Sequence, residues 1–251
     1  MMLRRIPWFQ AALALACVTA ASPALAQTGS GDGYLFRRPS GGLTVRVGVA
    51  RPTADSRVFS FASEQLTLGD NAYTGFSVAA DLDVAVSSRI ALQFGTALSA
   101  RETGSEYRDF VDNNDLPIEQ RTSFRRLPVT AGLRVYLTEP GRSVGRLAWV
   151  PNKFAPYVAG GGGLMYHSFR QTGDFVDFQD FDVFASTVET SGWAAMAYGA
   201  AGLNYSLSAK VGLTTEARYE SARAPMGSDF VGFGRIDLSG FSFTTGLHLR
   251  F

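Results

Sequence analysis

The stretch Phe124-Arg125-Arg126-Leu127-Pro128-Val129-Thr130-Ala131-Gly132-Leu133-Arg134-Val135-Tyr136-Leu137 decides the fold. Apolar residues fall on every second position: Leu127, Val129, Ala131, Leu133, Val135 and Leu137. Between them stand Arg126, Pro128, Thr130, Gly132, Arg134 and Tyr136. A period of two marks a β-strand with one apolar face, because successive side chains point to opposite sides of a sheet. The run is also long enough for a membrane, since a tilted strand needs about 9–11 residues to cross the hydrocarbon core.

The same period recurs on both sides of this stretch. It covers Leu43 to Ala50, where Leu43, Val45, Val47 and Val49 alternate with Thr44, Arg46 and Gly48, and Tyr73 to Val84, with Asp81 and Asp83 on the polar face. It returns in Ile90–Ala100 and in Val211–Glu220, whose polar face carries Glu216, Arg218 and Glu220. The segment Phe241–Phe251 alternates to the end, with Arg250 and His248 on its polar face. Phe154–Phe169 and Trp193–Leu207 are Gly- and Ala-rich strands of less distinct phase. These make eight candidate strands. Two connections are tight, around Ser87-Ser88 and Ser208-Ala209-Lys210. The segments 51–72, 101–121, 170–191 and 221–235 read as long polar loops. Short turns at one end and long loops at the other are the pattern of a membrane barrel. The connection Thr138–Asn152 is too long for a tight turn, and nothing in the sequence accounts for it.

The polar face decides which way the barrel is turned. It carries Arg46, Arg126, Arg134, Arg218 and Arg250 against Asp81, Asp83, Glu216 and Glu220. Eight strands leave an interior only wide enough for side chains, so these charges fit inside only if they pair. A soluble lipocalin-like barrel would instead carry its long charged residues outside. After residue 26 the chain has only Lys153 and Lys210, both near short turns. The expected fold is therefore all-β, a closed antiparallel eight-stranded transmembrane up-and-down β-barrel. Backbone groups in hydrocarbon must pair internally, so such a sheet must close.

Composition excludes several other classes. The 251 residues hold 23 Lys+Arg and 22 Asp+Glu, with 46% hydrophobic and 12% aromatic residues and a single Cys. A formal net charge of +1 gives no electrostatic drive toward nucleic acid. One Cys excludes a disulfide scaffold and a Cys-based zinc site.

Residues 1–26 read as a signal peptide. Arg4 and Arg5 form the positive region, Ala11–Val18 the apolar region and Ala24-Leu25-Ala26 the cleavage site. Cleavage removes Cys17 and both arginines, leaving a net charge of −1. A lipoprotein reading at Cys17 competes, but Ala14 stands where that motif wants Leu. Residues 27–41 then form a short periplasmic segment, and residues 42–251 the barrel.

Four segments carry a family resemblance: Leu127–Arg134, Ala155–Gly160, Gly199–Tyr205 and the ending Leu247-His248-Leu249-Arg250-Phe251. Over residues 42–251 the chain resembles the small outer-membrane barrels of Gram-negative bacteria, of the OmpA-barrel, OmpX and OmpW type. The resemblance implies location in the outer membrane and contact with its lipid and lipopolysaccharide. It also implies that Phe251, Leu249 and Leu247 form the signal read by the barrel-assembly machinery. No domain follows the last strand, unlike full OmpA-type proteins, so tethering to the cell wall is not expected.

Candidate chemistry is sparse. Some outer-membrane barrels modify lipid A with a His and a Ser two apart on one strand face, but His167 and Ser168 are adjacent and point to opposite faces. The glycines Gly160–Gly163 lack the Lys-Ser/Thr of a phosphate loop and read as close backbone approach. Asp112-Asn113-Asn114-Asp115 has no Gly at the sixth position and is no EF-hand. In the segment 174–184, Phe175, Phe178, Phe181 and Phe184 recur every third residue, as do Asp174, Asp177 and Asp180. These phenylalanines read either as a plug over the barrel mouth or as a contact surface for an unidentified extracellular ligand. The expected protein is non-enzymatic, with a structural, adhesive or small-molecule-related role in its long loops. It has no catalytic residues, no cofactor, no metal site and no nucleic-acid partner. A lipid-modifying outer-membrane enzyme and a soluble lipocalin-like binder are the alternatives.

Overall fold

The computed structural model describes residues 33–69, 71–112, 115–177 and 183–251. The proposed leader, Phe178 and Phe181 lie outside the described residues. Eleven strands form among the described residues. They are β1 (Gly41–Pro52), β2 (Gly75–Ala85), β3 (Ile90–Val111), β4 (Pro117–Tyr136), β5 (Gly141–Val144), β6 (Ala148–Pro151), β7 (Phe154–Val176), β8 (Val183–Ser206), β9 (Val211–Pro225), β10 (Arg235–Asp237) and β11 (Gly240–Arg250). One helix, α1 (Arg57–Gln65), follows β1, and a 3₁₀ turn covers Ser228–Phe230.

Eight strands close a ring. In order they are β1, β2, β3, β4, β7, β8, β9 and β11, each antiparallel to the next, and β11 pairs back onto β1 from Gly42↔Arg250 to Pro52↔Gly240. This is an up-and-down barrel without a free edge. The β3–β4 ladder skips Ala97–Leu98 opposite Leu127–Pro128 and resumes in the same register. Pro128 lacks an N–H and cannot complete that rung. Its carbonyl accepts the Thr96 hydroxyl at 3.0 Å instead.

The chain enters and leaves the ring at one end, here called the near end, together with the tight turns β2–β3 and β8–β9. The far end differs from the sequence expectation. Of the four segments read as long loops, 101–121 and 170–191 are largely strand, whereas 51–72 and 221–235 are mostly not: β3, β4, β7 and β8 run for 22, 20, 23 and 24 residues, against 12 in β1 and 11 in β2. A bilayer-crossing strand uses about ten residues, so this side of the barrel projects about ten residues, or ~33 Å of strand, beyond the apolar band. Strand polarity misled the reading there, because above the membrane neither face must be apolar throughout.

The connection Thr138–Asn152 also has an account. It folds as the hairpin β5–β6, and Trp149 is buried to 3% exposure. Leu35 pairs with Trp149 through two backbone hydrogen bonds of 2.8 Å. The hairpin and the segment before β1 thus lie across the near mouth, where Trp149, Tyr136, Arg38 and His248 line a cavity of about 50 Å³.

Candidate functional site

The outer face of the ring is apolar. Val45, Val47 and Val49 of β1, Phe76, Val78, Leu82 and Val84 of β2, and Phe241, Phe243, Leu247 and Leu249 of β11 are all exposed. Aromatic residues cluster at the two borders of this band. Tyr166 packs on Trp193 and Tyr219 on Phe241 at the far border, and Phe154 packs on Tyr205 at the near border. Amphipathic aromatic rings favour the membrane–water interface. Phe251 is 51% exposed at the near border, beside Gly41 of β1.

The inner face is ionic, and it is layered. The structure places all nine predicted charges inside, each at 7% exposure or less. Six of them meet in one cluster at mid-barrel. Arg46 of β1 lies 2.6 Å from Asp81 of β2 and 3.0 Å from Glu216 of β9. Arg218 reaches the same two carboxylates at 3.3 and 2.9 Å. Arg134 of β4 pairs with Asp83 and lies 3.7 Å from Glu216. Three guanidinium groups face three carboxylates, so the cluster is formally neutral. Register brings them together: inward residues of non-adjacent strands converge on the axis of a narrow ring.

The other three predicted charges stand apart. Arg126 lies higher and donates to the Leu238 carbonyl at 2.8 Å. Glu220 shares that upper level and lines a void with Arg126. Arg250 sits at the near mouth, donating to the Ser206 hydroxyl at 2.8 Å and to the Ser208 and Ala209 carbonyls.

Sequence reasoning missed two tyrosines that complete the cluster. Tyr157 donates to Glu216 at 2.8 Å, and the Arg134 guanidinium lies 4.3 Å from its ring centroid. Tyr198 donates to Gln93 at 3.1 Å beneath Arg218, 4.6 Å from the ring centroid. Gly202 makes room for the first, since a Cβ there would meet the Tyr157 ring at 2.4 Å. The signal was present: small residues on β7 and β8 leave space inside, and something large must fill it.

The far mouth is filled by an apolar plug. Val58 and Phe59 of α1 pack with Phe124, Phe169, Phe230, Ile236 and Leu238. Phe59 meets Phe124, Phe169 and Tyr73 edge-on at 5.5, 5.6 and 4.8 Å. Burial pushes the Tyr73 phenol well above its usual range. A second cluster, Ala62, Leu66, Tyr107, Ile118 and Val176, lines the projecting wall above. Phe175 and Phe184 stack on each other there at 6.2 Å, with Phe184 48% exposed. His167 is buried, whereas Ser168 points outward toward Glu189 at 3.5 Å, so no His–Ser pair forms.

Below the plug a void beside the ionic cluster, lined by Arg46, Arg126, Glu216 and Arg218, measures about 20 Å³, room for about one water. An apolar jacket, a neutral ionic core and an aromatic cluster at the far mouth define the class among the described residues: a small eight-stranded membrane β-barrel with a side-chain-filled interior. No protein-family model matches the chain, and no curated protein is significantly similar to it in sequence. Among the solved structures similar to it are small outer-membrane β-barrel proteins. Ail of Yersinia pestis is 12% identical, with 84% of this chain and 99% of that one covered and a TM-score of 0.43. OprG of Pseudomonas aeruginosa is 15% identical over 86% and 99%, with a TM-score of 0.45. AlkL, solved in lipid bilayers, is 17% identical over 90% and 95%, with a TM-score of 0.38.

Proposed function

We propose that this protein is a non-enzymatic outer-membrane barrel whose ring is a rigid, non-conducting anchor for the projecting far-end wall. Residues 1–26 act as its export signal, residues 27–41 stay in the periplasm, and Phe251, Leu249 and Leu247 present the outward apolar ending that assembly machinery reads. The wall of β3, β4, β7 and β8, with Phe175 and Phe184 near its tip, carries the structural or adhesive role outside the cell. The observation that supports this reading best is the filled lumen. An ion crossing it must break a buried arginine–carboxylate cluster and then pass an aromatic plug, so transport is a poor use of this interior.

The test has two parts. Membrane fractionation with detergent extraction and heat-modifiable gel mobility reports the barrel. Planar-bilayer recording of the refolded protein should show no steady single-channel steps. A soluble protein in the first assay, or ohmic channels in the second, refutes the reading. Mass analysis of lipid A from cells with and without the protein should show no difference; a changed acyl pattern would identify an enzyme instead.

A further inference from the structure

The two ends of the barrel differ in charge. At the far end carboxylates outnumber arginines among the described residues. At the near end the balance reverses. Arg37 and Arg38 stand on the segment before β1, and Arg142 and Arg146 on the β5–β6 hairpin. Arg89, Lys153 and Lys210 stand in the tight turns and at the foot of β7. Among the described residues the exposed acidic residue there is Glu139; Asp83 also lines the near-mouth cavity but is buried and paired with Arg134. No ion pair joins any of these cations to a carboxylate among the described residues.

Three of the cations stand at the foot of the apolar band, Arg89 and Lys153 exposed and Lys210 half-buried. Arg89 precedes the exposed Ile90, Lys153 precedes the exposed Phe154, and Lys210 closes the turn after the exposed Leu207. The Lys153 ammonium lies 5.7 Å from the Tyr205 ring centroid, at the near aromatic border. A long cationic side chain at such a border keeps its stem on the apolar band and its charge at the height of the lipid phosphates.

We propose that the near end is a binding collar for anionic phospholipid headgroups in the leaflet it meets. Continuity with the lipid-facing band favours a lipid over a soluble acidic partner, because the collar's inner members cannot leave the membrane border. The proposal rests on the membrane-barrel reading and names the lipid class held at one end. Each basic residue beside a membrane surface favours anionic lipid by about fivefold at most, and salt screens the effect.

The test uses the full chain refolded in neutral detergent with equal amounts of phosphatidylglycerol and phosphatidylcholine of the same acyl chains. Native mass spectrometry counts the lipids retained. Phosphatidylglycerol should be held over phosphatidylcholine by about fivefold or more, and high salt should shrink the ratio. The triple variant Arg89→Gln/Lys153→Gln/Lys210→Gln should lose most of it, while Arg51→Gln/Arg125→Gln/Arg223→Gln at the far end should keep it. Heat-modifiable mobility checks that each variant is folded. Equal retention of the two lipids by the wild type, or a near-end variant that keeps the full preference, overturns the collar and leaves the barrel reading standing. Retention of neither lipid by a protein without heat-modifiable mobility overturns both.

Discussion

Arg46 shows what a single residue does in this molecule. Its guanidinium is 1% exposed and bridges Asp81 and Glu216 across the lumen. Arg46→Met fills a similar volume but strips both carboxylates of a partner, so it should cost about 3–5 kcal/mol. Urea titration of protein refolded into vesicles measures this. The pair Arg134 and Asp83 gives a sharper test, because removing both partners removes the charge imbalance. Asp83→Asn and Arg134→Gln should each destabilise strongly, and the double variant should be more stable than the sum of the two predicts, by about 0.5–3 kcal/mol. Additive costs would mean that the two side chains do not pair. The inward phase of all nine charges was legible in the sequence, because alternation assigns every residue to a face. Which charges meet was not. Partnership across the lumen depends on barrel stagger, and that brought Arg46 to Glu216 while leaving Arg126 on a backbone carbonyl.

At the scale of elements, the ring and its attachments obey different rules. The ring strands were readable because lipid outside and packed side chains inside enforce strict alternation. α1 was not, since its nine residues bury only Val58, Phe59 and Ala62 and its N-cap Ser56 makes no side-chain cap bond. It is held by the plug rather than by its own propensity. Phe59→Ala should therefore loosen the helix without unfolding the ring. Trypsin should cut faster at Arg57, while the heat-modifiable gel shift persists. The β5–β6 hairpin was equally hidden, because its reason is tertiary: Trp149 covers the near mouth and pairs with Leu35. Trp149→Ala should likewise speed cleavage at Arg142 and Arg146. Equal protection in either variant would show that the attachment is held by something other than the named aromatic residue.

For the whole molecule, the governing constraint is that the solvent outside the ring is hydrocarbon. That constraint explains why Val45, Val47 and Val49 lie exposed while arginines fill the interior, an inversion that would leave the molecule insoluble in water. It also sets a depth scale that a soluble barrel lacks. Val47 lies midway along the apolar run of β1, opposite Val78 and Thr245. Phe76 lies at the far border of the same band, one residue after the start of β2. In a bilayer, Val47→Arg should cost about 2–4 kcal/mol and Phe76→Arg only about 0–1 kcal/mol for the introduced charge. Reversible urea unfolding from vesicles separates the two. In a water-soluble barrel both positions face the same solvent, and an arginine at Val47 would relieve an exposed apolar surface rather than penalise it. The sign of the Val47→Arg effect, more than its size, therefore tests whether lipid surrounds this ring.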